Sequence, residues 1–191
     1  MKLLEERIRK DGKVKSGGVL KVDSFLNHQM DIGLFEEMAD EFFRLYGSSG
    51  VTKILTLEAS GIGLACIVAQ KFKCAVIFAK KTKTKNIDGA VLSTSVESFT
   101  HNQVYDVIVK KEFLNPTDRV LLIDDFLANG NALSGLVKLV NDADAYLVGA
   151  GIAIEKSFQQ GGDILRSRGV RIESLARIKS LNVGEEIVFY P

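Results

Sequence analysis

The chain has 191 residues, 46% hydrophobic and 26% charged, which is enough for one domain with a substantial core and too little for two full ones. Lys and Arg total 25 against 24 Asp and Glu, a balance that argues against nucleic-acid coating or attachment to acidic membranes as the general function, so any anion site must be local. No apolar run approaches a membrane span, "MKLLEERIRKDG" mixes charge with Leu and Ile unlike a signal-peptide core, and a cytosolic protein is expected.

The first residues predict a short amphipathic helix with Leu3, Leu4 and Ile8 on one side, ended by Asp11-Gly12. Extended segments follow around Val14 and "VLKV". Asp31 is placed to cap a longer helix in which Leu34, Met38, Phe42 and Leu45 recur at helical spacing until Gly47. Then "KILTL", "EASGIG", "LACIVAQKF" and "AVIFAK" read as strand, glycine turn, helix and strand, a βαβ unit. The two cysteines in this region, Cys66 and Cys74, fit neither a disulfide framework nor a metal knuckle and are read as reduced packing residues.

A polar stretch from Lys80 to Gly89 follows, and "VLSTSVESFT" and "QVYDVIVKK" read as the strands of a hairpin joined around "HN". The alternation resumes with strand "RVLLID", a glycine-bearing turn, helix "ALSGLVKLVNDA", strand "YLVGAGIAIE", a helix near "GDILRSR" and strand "VRIESLARI". Near-continuous apolar strands alternating with helices imply an α/β fold with a central parallel sheet covered on both faces. Open sheets of this kind bind ligands beyond the carboxyl ends of their strands, which here carry "EASGIG", "DDFLANGNA" and "EKSFQ".

Asp124 and Asp125 stand directly behind an apolar run, where a carboxylate is costly unless something partners it. The turn after them, Ala128-Asn129-Gly130-Asn131-Ala132, leads straight into a helix, so backbone N–H groups and the helix dipole face whatever occupies it. Phosphate is the natural occupant. The carboxylates accept hydrogen bonds from paired hydroxyls, as on a ribose, or help order a hard cation. Phosphate beside vicinal hydroxyls spells phosphoribose.

"VLLIDDFLANG" resembles the phosphoribosyl pyrophosphate signature of the type I phosphoribosyltransferases. "LKVDSFLNHQMD", "KILTLEASGI", "FAKK", "SFT" and "IEKSFQ", in this order and at these spacings, resemble the bacterial xanthine branch over nearly the whole chain. The generic pattern commonly places threonines around the glycine of the phosphate turn. Here Asn129 and Asn131 stand instead, as in the xanthine branch, which shifts weight onto backbone N–H donors and the two amides.

The resemblance implies the type I phosphoribosyltransferase fold: a single domain over 1–191, a central mainly parallel sheet flanked by helices, and a small hood from about 1–35 and about 156–191. It implies Mg²⁺-dependent transfer of the 5-phosphoribosyl group from phosphoribosyl pyrophosphate to N9 of xanthine, with Mg²⁺ held mainly by substrate, in a homodimer. Asp124 and Asp125 are then catalytic, Asp124 toward the ribose hydroxyls and Asp125 toward the base. The turn Ala128 to Ala132 and the loop Ala59, Ser60 and Gly61 hold the donor, and Lys80 and Lys81 reach a pyrophosphate across the dimer interface. Leu20 and Asn27 fall where the hood closes on the base. Lys156, which follows an apolar strand and needs an acceptor, meets an oxopurine, and Phe158 has the size to stack on it. Two alternatives stay open: a regulator that senses phosphoribosyl pyrophosphate without turnover, and an enzyme preferring guanine or hypoxanthine. The regulator needs a basic DNA-binding module for which the chain has neither room nor charge. His28 and His101 are given no role.

Overall fold

The computed structural model describes residues 1–82, 90–98 and 103–190. Helix α1 (Lys2–Asp11) buries Leu4 and Ile8, which lie one turn apart. Leu3, about 100° round the helix from Leu4, is exposed, so the expected stripe is narrower than its sequence suggests. Strands β1 (Lys13–Lys15) and β2 (Val19–Lys21) form a small antiparallel ribbon, and a π-helical turn, Asp23–Asn27, buries Phe25 and Leu26. Helix α2 (Ile32–Tyr46) begins at the expected cap, where Asp31 Oδ1 accepts the Leu34 N–H at 3.1 Å. Leu34, Met38 and Phe42 are buried as expected. Leu45 is only half-buried, and Phe35, Ala39 and Tyr46 complete the inner face.

The main sheet is built from β3 (Lys53–Leu57), β4 (Ala75–Thr82), β5 (Val91–Ser98), β6 (Gln103–Lys110), β7 (Arg119–Leu127), β8 (Tyr146–Lys156), β9 (Ile172–Ser180) and β10 (Val188–Phe189). Its eight strands run in the order β10-β9-β8-β7-β3-β4-β6-β5. Strands β9, β8, β7, β3 and β4 are mutually parallel, while β10 and the β5–β6 hairpin add antiparallel edges. The expected hairpin is therefore present, although its connection with His101 lies outside the described residues, as do Lys83 and Lys85.

Helices α3 (Gly61–Phe72), α4 (Asn131–Asp142) and α5 (Gly161–Ser167) complete the layers. Strand alternation explains the unbroken apolar run of β7: Leu121 and Ile123 pack with α1, α2 and α3, whereas Val120 and Leu122 pack with α4 and α5 on the other face. Two sequence expectations shift. The strands read as "RVLLID" and "AVIFAK" end at Asp124 and Lys80, but β7 continues through Asp125 to Leu127 and β4 through Lys81 to Thr82, because Phe126 and Leu127 pair with Ile154 and Glu155, and Lys81 and Thr82 with Val107 and Asp106.

The topology makes one crevice. From β3 the chain passes to α3 on one face and on to β4, while from β7 it passes to α4 on the opposite face and on to β8. Strands β3 and β7 are hydrogen-bonded neighbours, so their carboxyl ends diverge at a topological switch point.

Candidate active site

A cavity of about 360 Å³ opens at that switch point, walled by Glu58, Ser60, Lys81, Tyr105, Asp124, Asp125 and the turn Ala128 to Ala132. The two aspartates turn to different partners, as adjacent strand residues must. Asp125 accepts the Ser60 hydroxyl at 2.9 Å and lies 3.5 Å from Asn27 Nδ2, while Asp124 Oδ1 accepts the Asp125 N–H at 3.0 Å. Each aspartate is 7% exposed. Burial first, and the neighbouring Asp125 charge second, push the Asp124 carboxyl well above the usual aspartate range, and Lys81 offsets this only in part.

A raised acid contributes its stability below the ordinary aspartate pKa of about 4 and loses it as pH rises through the folded value. Asp31, lowered chiefly by the Leu34 N–H, and Glu155, where burial is outweighed by bonds from Arg166 and Ser174, act in the opposite sense and below that window. As pH rises above about 4, the ordinary aspartate value, the wild type is therefore expected to lose thermal stability relative to Asp124→Asn. Melting curves of both proteins across that range check this. Parallel curves would mean that Asp124 ionises at no cost.

The turn after β7 presents main chain to the cavity. Gly130 adopts φ +83° at the N-cap of α4, and among the described residues no side chain caps the helix, so its first N–H groups are open to a ligand. Asn131 Nδ2 donates to the Glu97 carbonyl at 3.1 Å, tying the turn to β5. Of the two amides singled out from the sequence, Asn129 is thus the one not used in this tie. Across the cavity, Glu58 is joined to Ala59 by a cis peptide bond and its carboxylate accepts the Lys81 N–H. Ser60 lines the cavity. Ala59 is exposed beside it, and Gly61 is buried, where a Cβ would collide with Thr56 Oγ1 and sit 3.1 Å from Asp124 Oδ1. Gly61 lets α3 start against the aspartates.

Strand alternation separates the two lysines. Lys81 enters the cavity, 5.3 Å from the Tyr105 ring centroid, while Lys80 lies 5.8 Å from the ring of Phe78, which is itself exposed. Lys81 thus lines the cavity of its own chain, whereas Lys80 is not among the residues that line it.

The residues expected at the base form a second group, linked to the first through Asn27 and Asp125. Lys156, half-buried at the end of β8, donates to the Gly18 carbonyl at 2.9 Å, and burial lowers its pKa. Phe158, 42% exposed, borders Gly18, whose Cβ position lies 3.5 Å from the Phe158 ring. Leu20 does not join them through its side chain, which is buried in the core against Gly12. Glu58, Glu97 and Tyr105 line the cavity without having been singled out in the sequence. Only Glu58 left a signal there, next to "ASG", since Tyr105 and Glu97 arrive through antiparallel pairing.

Four carboxylates, Glu58, Glu97, Asp124 and Asp125, surround the cavity against the single cation Lys81 among the described lining residues. No preassembled group of three His, Cys, Asp or Glu for a metal occurs among the described residues. Hard oxygen donors in excess negative charge fit Mg²⁺ brought by a polyphosphate, which needs one or two protein carboxylates and takes its other ligands from substrate and water.

Sequence comparison assigns the class: residues 21–170 match the phosphoribosyl transferase domain, and the chain belongs to that family. Within it, the chain is 60% identical over 190 residues to a xanthine phosphoribosyltransferase of Lachnoclostridium phytofermentans, spanning 100% of this chain and 98% of the relative. It is 53% identical over 183 residues to the xanthine phosphoribosyltransferase of Bifidobacterium longum, 95% of each chain. The fold is shared with adenine phosphoribosyltransferase of Giardia lamblia complexed with 9-deazaadenine, at TM-score 0.76 and 21% identity over 88% of this chain and 94% of that one. The enzyme of Rhodothermus marinus gives 0.74 and 20% over 93% and 100%.

Proposed function

We infer that this protein transfers the 5-phosphoribosyl group of phosphoribosyl pyrophosphate to N9 of xanthine, giving xanthosine 5′-monophosphate and pyrophosphate in purine salvage. The observation that carries the reading is the switch-point crevice, with an uncapped helix N-terminus and buried paired carboxylates, in a chain 60% identical end to end to a xanthine phosphoribosyltransferase.

In this reading the N–H groups of Ala128 to Ala132 hold the 5′-phosphate and the aspartates accept the ribose hydroxyls. The bond from C1′ to pyrophosphate breaks with oxocarbenium character, its electron pair leaving with pyrophosphate. The buried carboxylates face the positive sugar, and Lys81 with the loop Ala59 to Gly61 faces the departing polyanion. Mg²⁺, carried mainly by the substrate's phosphates with Glu58 and the aspartates as the protein's oxygen donors, would neutralise that polyanion. N9 then bonds to C1′, and Asp125, the carboxylate nearer Asn27, is placed to take its proton. Asn27 and Lys156 donate to the oxygens of the base while Phe158 stacks on it, and the segments about 1–35 and about 156–191 act as the hood. The Lys156 bond to Gly18 supports that closure.

Incubating the pure protein with phosphoribosyl pyrophosphate, Mg²⁺ and each purine base in turn tests the reading. Nucleotide should form fastest from xanthine. Tight binding of the donor without nucleotide would make the protein a sensor, and faster use of guanine or hypoxanthine would reassign the base.

The working unit in this reading is a homodimer in the cytosol, where the free thiols Cys66 and Cys74 stay reduced. Lys80 points away from its own cavity and reaches the partner's. Mixing Lys80→Ala chains with Asp125→Asn chains is then expected to restore activity through hybrids with one intact site. Mixing Lys81→Ala with Asp125→Asn chains should restore none, because both defects lie in the chain's own cavity. Full activity in a strict monomer, or rescue by the Lys81 pair instead, would overturn the arrangement.

A further inference from the structure

Helix α5 stands between the two halves of the site, and its first two residues carry no side chain. A Cβ on Gly161 would collide with the Ala128 carbonyl oxygen and the Gly130 nitrogen, and the Cβ position of Gly130 is 3.0 Å from Gly161 Cα. The phosphate turn therefore rests directly on the backbone of α5. A Cβ on Gly162 would collide with Glu155 Oε1 and lie 2.7 Å from Arg166 Nη1.

Glu155 is 1% exposed and immediately precedes Lys156. Arg166 grips it with both Nη atoms at 2.7 Å, Ser174 donates to the same carboxylate, and Arg177 Nε adds charge from 3.5 Å without a hydrogen bond. A buried carboxylate held by a planar fork has one acceptable geometry, and loss of its partner leaves a charge without compensation. The stretch from Lys156 to Gly161 is itself tight: the Gln159 N–H donates to the Lys156 carbonyl at 2.9 Å and the Ile164 N–H to that of Gln160 at 3.0 Å. From Glu155 one path leads to Lys156 and Phe158, and another leads through Arg166 and the glycine pair to the phosphate turn.

We propose that the Glu155–Arg166 pair and the Gly161 contact form a brace coupling the phosphate turn to the base-binding loop, so that filling one subsite orders the other. Glu155, Arg166 and Gly161 are positioning residues in this account. It rests on the proposed function for the identity of the two ligands.

The test is calorimetric titration of the full chain with xanthine and with ribose 5-phosphate, each alone and in the saturating presence of the other. In the wild type each ligand is expected to tighten the other by at least ~5-fold, and by the same factor in both directions. Arg166→Lys keeps the charge and loses the fork, and Gly161→Ala forces the turn off the helix. Both should bring the coupling toward one, with each ligand alone changed less. Ile164→Ala, on the exposed side of the same helix, should keep the wild-type coupling. If Arg166→Lys fails to melt cooperatively, Gly161→Ala decides alone. Coupling absent in the wild type, or unchanged in Gly161→Ala, overturns the brace, whereas failure of the wild type to bind either ligand overturns the site assignment instead.

Discussion

Replacing Asp124 and Asp125 together by asparagine is expected to lower turnover by at least ~10²-fold, the scale seen when a preorganised electrostatic group is removed. The chain should stay folded, with a melting temperature equal to or above that of the wild type. Asparagine keeps the size of the side chain and an acceptor oxygen, so the bonds from the Ser60 hydroxyl and the backbone N–H of residue 125 can persist. What disappears is a like-charge pair that burial makes costly. Turnover and thermal melting measured on the same preparation separate the two roles. A variant that unfolds while its folded fraction works normally would reduce the pair to a structural one.

Lys156→Met should strike at the base. Xanthine carries an oxygen at C2 where guanine carries an amino group, so its recognition needs donors. Lys156 has three donors and no acceptor, and among the described residues only one donor is committed, to Gly18. Among the described residues no carboxylate pairs with it, and half-burial already depresses its pKa, which is the condition of a cation awaiting acceptors. The substitution keeps most of the apolar stem. It is expected to cost kcat/KM for xanthine roughly 1–3 kcal/mol, the range for leaving a buried polar group unsatisfied, while guanine suffers less. The measurement is kcat/KM for both bases in both proteins. An unchanged ratio would move discrimination to Asn27 or to main chain. Asn27→Asp is a poorer probe, because it adds a further carboxylate beside Asp125 and so disturbs both bases.

The parts of this site legible in the sequence are those where chain order and space coincide. Asp124, Asp125 and the turn Ala128 to Ala132 are contiguous, and Ser60 follows its strand directly. An apolar run ended by acids and a glycine turn announces them wherever the strand lies. The Asp31 cap and most of the core stripes were legible for the same reason, since they depend on residues three or four apart, although Leu3 and Leu45 fell outside the buried faces. That the Leu20 side chain faces the core was not legible, because a two-stranded ribbon sends one of its faces into the core and the sequence does not say which. Lys80 and Lys81 look like a unit until a strand places them on opposite faces. Tyr105 and Glu97 enter through the β5–β6 hairpin and its pairing with β4, and Gly161 through a backbone contact across about thirty residues of chain. No local pattern encodes such contacts.

The two borders of the main sheet also bear on how this protein behaves in a crowded solution. A free strand border offers a row of N–H and C=O groups on which a foreign chain can template itself. One border, β10, is only two residues long and gives a newcomer almost nothing to register against. The other, β5, is longer but presents Ser93, Ser95 and Glu97 to solvent, and the Ser95 hydroxyl is already bonded to Asp106 of its hairpin partner at 2.8 Å. A chain rich in buried parallel strands is thus guarded against runaway ladder growth at both ends. Copies of it should meet through side-chain faces, leaving the sheet finite.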